Sequence, residues 1–143
     1  MKTKGQSGFS LIELLVVVVV IVIIAVIAVP HLQKAIRADE NGNMFASLSS
    51  VASTQTTFAT QNARFARLSE INNILSLGRQ EGNEVVRGKF TISMVPAAPT
   101  DGELKTGYVI HALRSVDGEG VVYKYELTTS GRIRMLLPEE ELP

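Results

Sequence analysis

Residues 8–30 read GFSLIELLVVVVVIVIIAVIAVP, and how this stretch is solvated decides the fold. From Leu14 to Val29 every residue is Leu, Val, Ile or Ala. Counted from Phe9 the run reaches twenty-one residues, with Glu13 as its single charge. At 1.5 Å per helical residue that is about 31 Å, close to the hydrocarbon thickness of a bilayer. Valine is a modest helix former in water, but in lipid each backbone amide must be paired within the segment, so a single span has to be a helix. Apolar residues occur all round the helix, which distinguishes it from an amphipathic helix lying in the interface. The positive-inside count is nearly level, with Lys2 and Lys4 before the span and Lys34 and Arg37 after it.

Outside this stretch the composition is that of an ordinary globular domain. The chain has 143 residues, enough for one domain plus an appendage. Fourteen Lys and Arg balance fourteen Asp and Glu, so no global field draws the chain to nucleic acid or anionic lipid. The absence of cysteine excludes disulfides, thiolate metal sites and thiol catalysis. Neither His31 nor His111 has metal-ligand spacing, and no phosphate loop or nucleophile elbow is present. The expectation is a non-enzyme with no cofactor and no metal. Asp117 and Glu119, set among glycines, suit a hairpin turn better than a calcium site. Arg64, Arg67, Arg79, Arg87 and Lys89 are the residues from which a basic patch for nucleic acid or a neighbouring subunit would be built, but dispersed surface charge is the better account of them.

The lysines before the apolar run resemble a secretory n-region, yet the run ends in AVIAVPHLQ, a poor signal-peptidase site. The small residue followed by a bulky one lies before the run, at Gly8–Phe9. Here GFSLIEL resembles the class III signal of type IV pilins and the related type II secretion pseudopilins. The resemblance implies cleavage by a prepilin peptidase between Gly8 and Phe9, N-methylation of Phe9, and an assembly role for Glu13, fifth in the mature chain. Pro30, twenty-second in the mature chain, stands where many members carry a helix-bending proline. The implied layout is a leader at 1–8, a transmembrane and filament-core helix at 9–30, and a globular portion at 31–143. The implied partners are other copies of the chain in a helical filament, the peptidase, an inner-membrane assembly platform, and the bilayer before assembly. The implied location is the bacterial inner membrane, then an extracellular pilus or a periplasmic pseudopilus. A disulfide-closed C-terminal loop, common in surface pilins, is impossible in this chain. A rival of a different class is a permanently anchored single-span envelope protein whose exported domain binds a ligand.

Beyond Pro30 the composition remains compatible with helix, which predicts a kinked, continuing helix with a second soft point at Asn41-Gly42-Asn43. Met44, Phe45, Leu48, Val51, Ala52, Gln55, Phe58 and Ala59 then recur at spacings of three and four, predicting an amphipathic half-helix that ends near QNARF (61–65). From KFTISMV (89–95) onward the period drops to two. Phe90, Ile92 and Met94 mark one strand; Tyr108, Ile110 and Ala112 a second; Val121, Tyr123, Tyr125 and Leu127 a third; and RIRMLL (132–137) a fourth. PAAPTDGELKTG (96–107) reads as an exposed loop and PEEELP (138–143) as a solvated acidic end. The expected fold is α+β and pilin-like: a long N-terminal helix packed on a small antiparallel sheet of about four strands.

Overall fold

The computed structural model describes residues 8–118 and 120–137. It divides into two units, Met1–Glu40 and Asn41–Pro143. The first helix, α1 (Leu11–Asn62), includes residues of both. Its apolar part contains an 18-residue window of mean hydropathy 3.5, none of it buried among the described residues. The helix assignment runs through Pro30, which has no N–H to give the carbonyl of Val26, and through Asn41-Gly42-Asn43.

The globular unit is an antiparallel meander with the later half of α1 as its helical layer. Met44, Ser47, Leu48, Val51 and Gln55 are the buried residues of α1, a stripe at spacings of three and four. The expected stripe is therefore corrected at one place. Phe45 is 49% exposed, while Ser47 is buried and satisfies its hydroxyl on the carbonyl of Asn43 at 2.8 Å. Ala63, in the left-handed region (φ 55°), follows the last turn, and its N–H still reaches the Ala59 carbonyl.

Two short helices and six strands complete the unit: α2 (Leu68–Leu75), β1 (Arg79–Glu81), β2 (Glu84–Arg87), β3 (Phe90–Val95), α3 (Asp101–Thr106), β4 (Val109–Val116), β5 (Gly120–Thr128) and β6 (Ile133–Leu137). Strand order in the sheet follows the chain, β1-β2-β3-β4-β5-β6, with every neighbouring pair antiparallel. The sheet thus has six strands, where four were expected. The two additional strands form a hairpin closed by Gly82 (φ +58°) and Asn83. Side chains alternate along β3 and β4: Phe90, Ile92, Met94, Ile110 and Ala112 point into the core with Met44, Leu48 and Val51. Arg114 continues the inward row of β4 and is also buried, its guanidinium 5.8 Å from the centre of the Phe90 ring.

The link at 96–107 contains α3, so the expectation of a wholly exposed loop is corrected as well. Thr100 caps this helix: its hydroxyl accepts from Glu103 N–H at 3.3 Å, and the Glu103 carboxylate accepts from Thr100 N–H at 2.8 Å. The bond from Thr100 N–H, and then a second from the Thr100 hydroxyl to the same carboxylate at 2.8 Å, hold the Glu103 carboxyl below the ordinary carboxylate range. Leu104 enters the core, and its carbonyl accepts from Phe65 N–H at 2.9 Å.

Gly78 precedes β1 under tight packing. A Cβ there would lie 2.3 Å from the Val86 carbonyl oxygen, a backbone atom that cannot swing aside. Gly78→Ala is therefore expected to destabilise the globular unit by about 1–3 kcal/mol, as overpacking does. Thermal unfolding of the full chain in detergent, followed by tyrosine near-ultraviolet dichroism, measures this; an unchanged midpoint would show that the β1–β2 hairpin yields freely.

Candidate functional site: the N-terminal segment

At the start of the described chain, Gly8, Phe9 and Ser10 precede the helix, and all three are exposed. The Ser10 carbonyl accepts from Glu13 N–H at 3.0 Å and from Leu14 N–H at 3.2 Å, which closes the first turn of α1. The Gly8–Phe9 peptide bond therefore lies outside the hydrogen-bonded helix. Phe9 is 79% exposed. Glu13 belongs to the first helical turn, where the partial positive charge of unpaired N–H groups favours a carboxylate. It is four residues from Phe9, so a cationic group at Phe9 and the carboxylate of Glu13 lie about one turn apart along the chain. From Leu14 onward the helix offers only exposed apolar side chains as far as Pro30.

Several charged residues singled out in the sequence are engaged elsewhere in the globular unit. Arg64 forks onto Glu70, with Nη1 to Oε2 at 2.9 Å and Nη2 to Oε1 at 2.8 Å. The Glu70 carboxylate also accepts from Arg67 N–H at 2.7 Å, capping α2. Arg67 reaches Asp101 at 2.6 Å, Arg64 approaches the same carboxylate at 3.4 Å, Arg79 pairs with Glu81, and Arg87 donates to the Leu77 carbonyl at 2.7 Å. Arg64, Arg67 and Arg79 are thus each balanced by a carboxylate, a poor arrangement for gripping phosphates. His111 Nε2 lies 3.4 Å from Glu126 Oε2 on the sheet face opposite the core, and Arg134 reaches the other Glu126 oxygen at 3.3 Å. Asp117 sits in the β4–β5 turn, whereas Glu119 and the acidic PEEELP segment lie outside the described residues. Among the described residues no three His, Cys, Asp or Glu side chains are grouped to hold a metal.

The Arg64 guanidinium holds the Glu70 carboxyl below the ordinary carboxylate range, first through the hydrogen-bonded fork and then by charge. A carboxylate stabilised in the folded state contributes stability above its unfolded value, near 4.5, and loses it as the pH falls through the folded value. Glu70→Gln is therefore expected to lower the unfolding temperature near neutral pH, with the gap to wild type closing as the pH falls from the unfolded value through the lower folded one. Melting curves at several pH values test this; a gap independent of pH would show that the fork contributes by shape and not by charge.

An accessible peptide bond, a carboxylate one turn into a helix and a segment long and apolar enough to cross a membrane together fit a single-pass, membrane-anchored precursor. A known motif matches the N-terminal part of the chain. Residues 3–29 match the model of the prokaryotic N-terminal methylation motif, so this chain carries the class III signal of type IV pilins and pseudopilins. No curated protein matches the chain, and no solved structure does.

Proposed function

We propose that the chain is the precursor of a structural subunit of a type IV pilus-like filament. The observation that carries this reading is the methylation motif over residues 3–29, whose Gly8–Phe9 bond is exposed ahead of the first helical turn. In this reading prepilin peptidase cuts after Gly8, Phe9 is N-methylated, and the apolar half of α1 passes from the inner membrane to an extracellular filament core. Lipid and neighbouring helices are similarly apolar, so the exchange is decided by packing and by the few polar contacts. Methylation leaves the Phe9 ammonium charged, and Glu13 of a neighbouring copy accepts it, which fixes the register between subunits. Pro30 supplies a point at which α1 bends to fit its neighbours. The role is structural, with no catalysis and no cofactor.

The lack of cysteine favours a second reading, a type II secretion pseudopilin, because a disulfide-closed C-terminal loop is common in surface pilins. Intact-mass and N-terminal peptide analysis tests the common part. A chain beginning at N-methylated Phe9 is expected. A chain still beginning at Met1 in cells with active prepilin peptidase sinks both filament readings and favours a permanently anchored binding protein. Recovery from the sheared surface fraction or from the periplasm then separates pilus from pseudopilus.

A further inference from the structure

The outward surface of the later half of α1 differs from an ordinary water-facing helix. From Met44 to Ala63 there is no charged residue. Its exposed hydroxyls are largely turned inward on the helix: Ser49, Ser50, Thr56 and Thr57 donate to the carbonyls four residues earlier, at 3.1 to 3.2 Å, and Thr60 to that of Thr57 at 2.7 Å. Polar groups already satisfied in this way lose less when water is removed. This surface also carries a large apolar projection and a recess. The projection is Phe45, and the recess is a groove of about 230 Å³ between α1 and α2, lined by Ser53, Thr54, Thr57, Phe58, Gln61 and Ile74. Ile74 is an apolar side chain left 56% exposed at the groove.

The relative placement of the two features indicates what fills the groove. At about 100° per residue, the α1 residues lining the groove lie about 80° (Ser53), 120° (Thr57), 160° (Gln61), 180° (Thr54) and, the other way, 140° (Phe58) round the helix from Phe45, so the groove is centred well towards the opposite side. Along the axis, Phe45 and Thr57 are separated by about 18 Å. A projection and a recess on opposite sides of one helix meet when two copies lie side by side in the same orientation with an axial offset. They do not meet across a two-fold axis, which brings like surfaces together. Such a contact is heterologous, and each copy retains an unused Phe45 at one side and an unused groove at the other, so it propagates.

We infer that Phe45 of one copy seats in the α1–α2 groove of the next, forming a subunit contact in the globular unit separate from the Phe9–Glu13 contact. This inference rests on the filament reading, and its test separates the two. The chain has no cysteine, so engineered thiols report without background. Full-length chains carrying both Ser49→Cys and Gln61→Cys, which keep Phe45 and preserve the twelve-residue offset between Phe45 and Thr57, are assembled in cells and oxidised. A ladder of covalent oligomers is expected, with each single variant staying monomeric. Wild-type-like filaments that give no ladder, or S49C alone forming a covalent dimer, would overturn the contact while leaving the filament reading intact. Failure of the wild-type chain to form filaments by electron microscopy would overturn the reading and the contact with it. Phe45→Ala is expected to lower filament yield at least tenfold with an unchanged unfolding temperature, and Phe45→Leu to restore part of the yield. Undiminished assembly of F45A would equally overturn the contact.

Discussion

Replacing Glu13 by Ala is expected to leave cleavage after Gly8 intact while cutting filament formation by two orders of magnitude or more. On the proposed function, the carboxylate receives the ammonium of a neighbouring Phe9 inside a bundle of apolar helices. Removing one partner of such a pair leaves the other buried and uncompensated, which costs about 3–5 kcal/mol per contact. Each 1.4 kcal/mol is a factor of ten in an association constant. The fold itself should be untouched, because Glu13 is exposed and lies outside the globular unit. The measurement pairs intact mass, which reports cleavage and methylation, with the amount of filament sheared from cells. Glu13→Asp, which keeps the charge on a shorter arm, should recover part of the yield. If E13A assembles at wild-type levels, the carboxylate is a headgroup-level charge with no partner in the filament.

The second large effect is confined to the globular unit. Gln55 is fully buried, and its amide clasps one residue of the returning chain: Nε2 donates to the Ala66 carbonyl at 3.0 Å, and Oε1 accepts from Ala66 N–H at 2.7 Å. These two bonds fix the segment leaving α1 and with it the approach to α2. Gln55→Leu keeps the volume roughly constant but strands a buried N–H and a buried carbonyl, each at about 1–3 kcal/mol. A loss of about 2–5 kcal/mol is expected, which in a unit of about 100 residues lowers the melting temperature by at least about 10 °C. Gln55→Glu discriminates further: it retains an acceptor for Ala66 N–H but buries a charge or a proton facing a carbonyl, so its loss should deepen as pH rises. Melting curves of the full chain in detergent test both variants. A Q55L protein as stable as wild type would show that water reaches Ala66 and satisfies it.

Most of the architecture is visible in hydropathy, because long segments with one solvent on each side impose a clean period. The apolar run, the stripe through Met44, Leu48, Val51 and Gln55, and the alternation in β3 and β4 all follow from this. Phe45 fails because it lies next to the stripe, where a spacing rule accepts either neighbour and only packing chooses Ser47. The β1–β2 hairpin is invisible for a different reason. Every residue of β1 is exposed, and β2 buries only Val85, so RQEGNEVVR carries almost no alternation. Its one signal is the Gly82-Asn83 turn. In α3 the signal was present and masked: Thr100 and Glu103 spell a capping box ahead of Leu104, but prolines before it and glycines within and after it resemble a loop. Gln55 appears in the sequence as one polar member of an apolar stripe, and only the chain reversal at Ala66 reveals its purpose. Gly8, Phe9 and Glu13 fall within a motif, residues 3–29, that is legible because it is a linear pattern and not a packed environment.

The strand order has a consequence for how the domain is made. Because each strand pairs with the one before it, every segment leaving the ribosome finds its sheet partner already synthesised, and the helical layer precedes them all. No early strand has to wait for a distant partner, so loop closures stay short and non-local pairing, the slow step in many β proteins, is largely avoided. A chain tethered by its first helix can therefore complete its sheet progressively, with a single growing edge open at any moment. That keeps brief the interval in which an unpaired strand can join the wrong molecule.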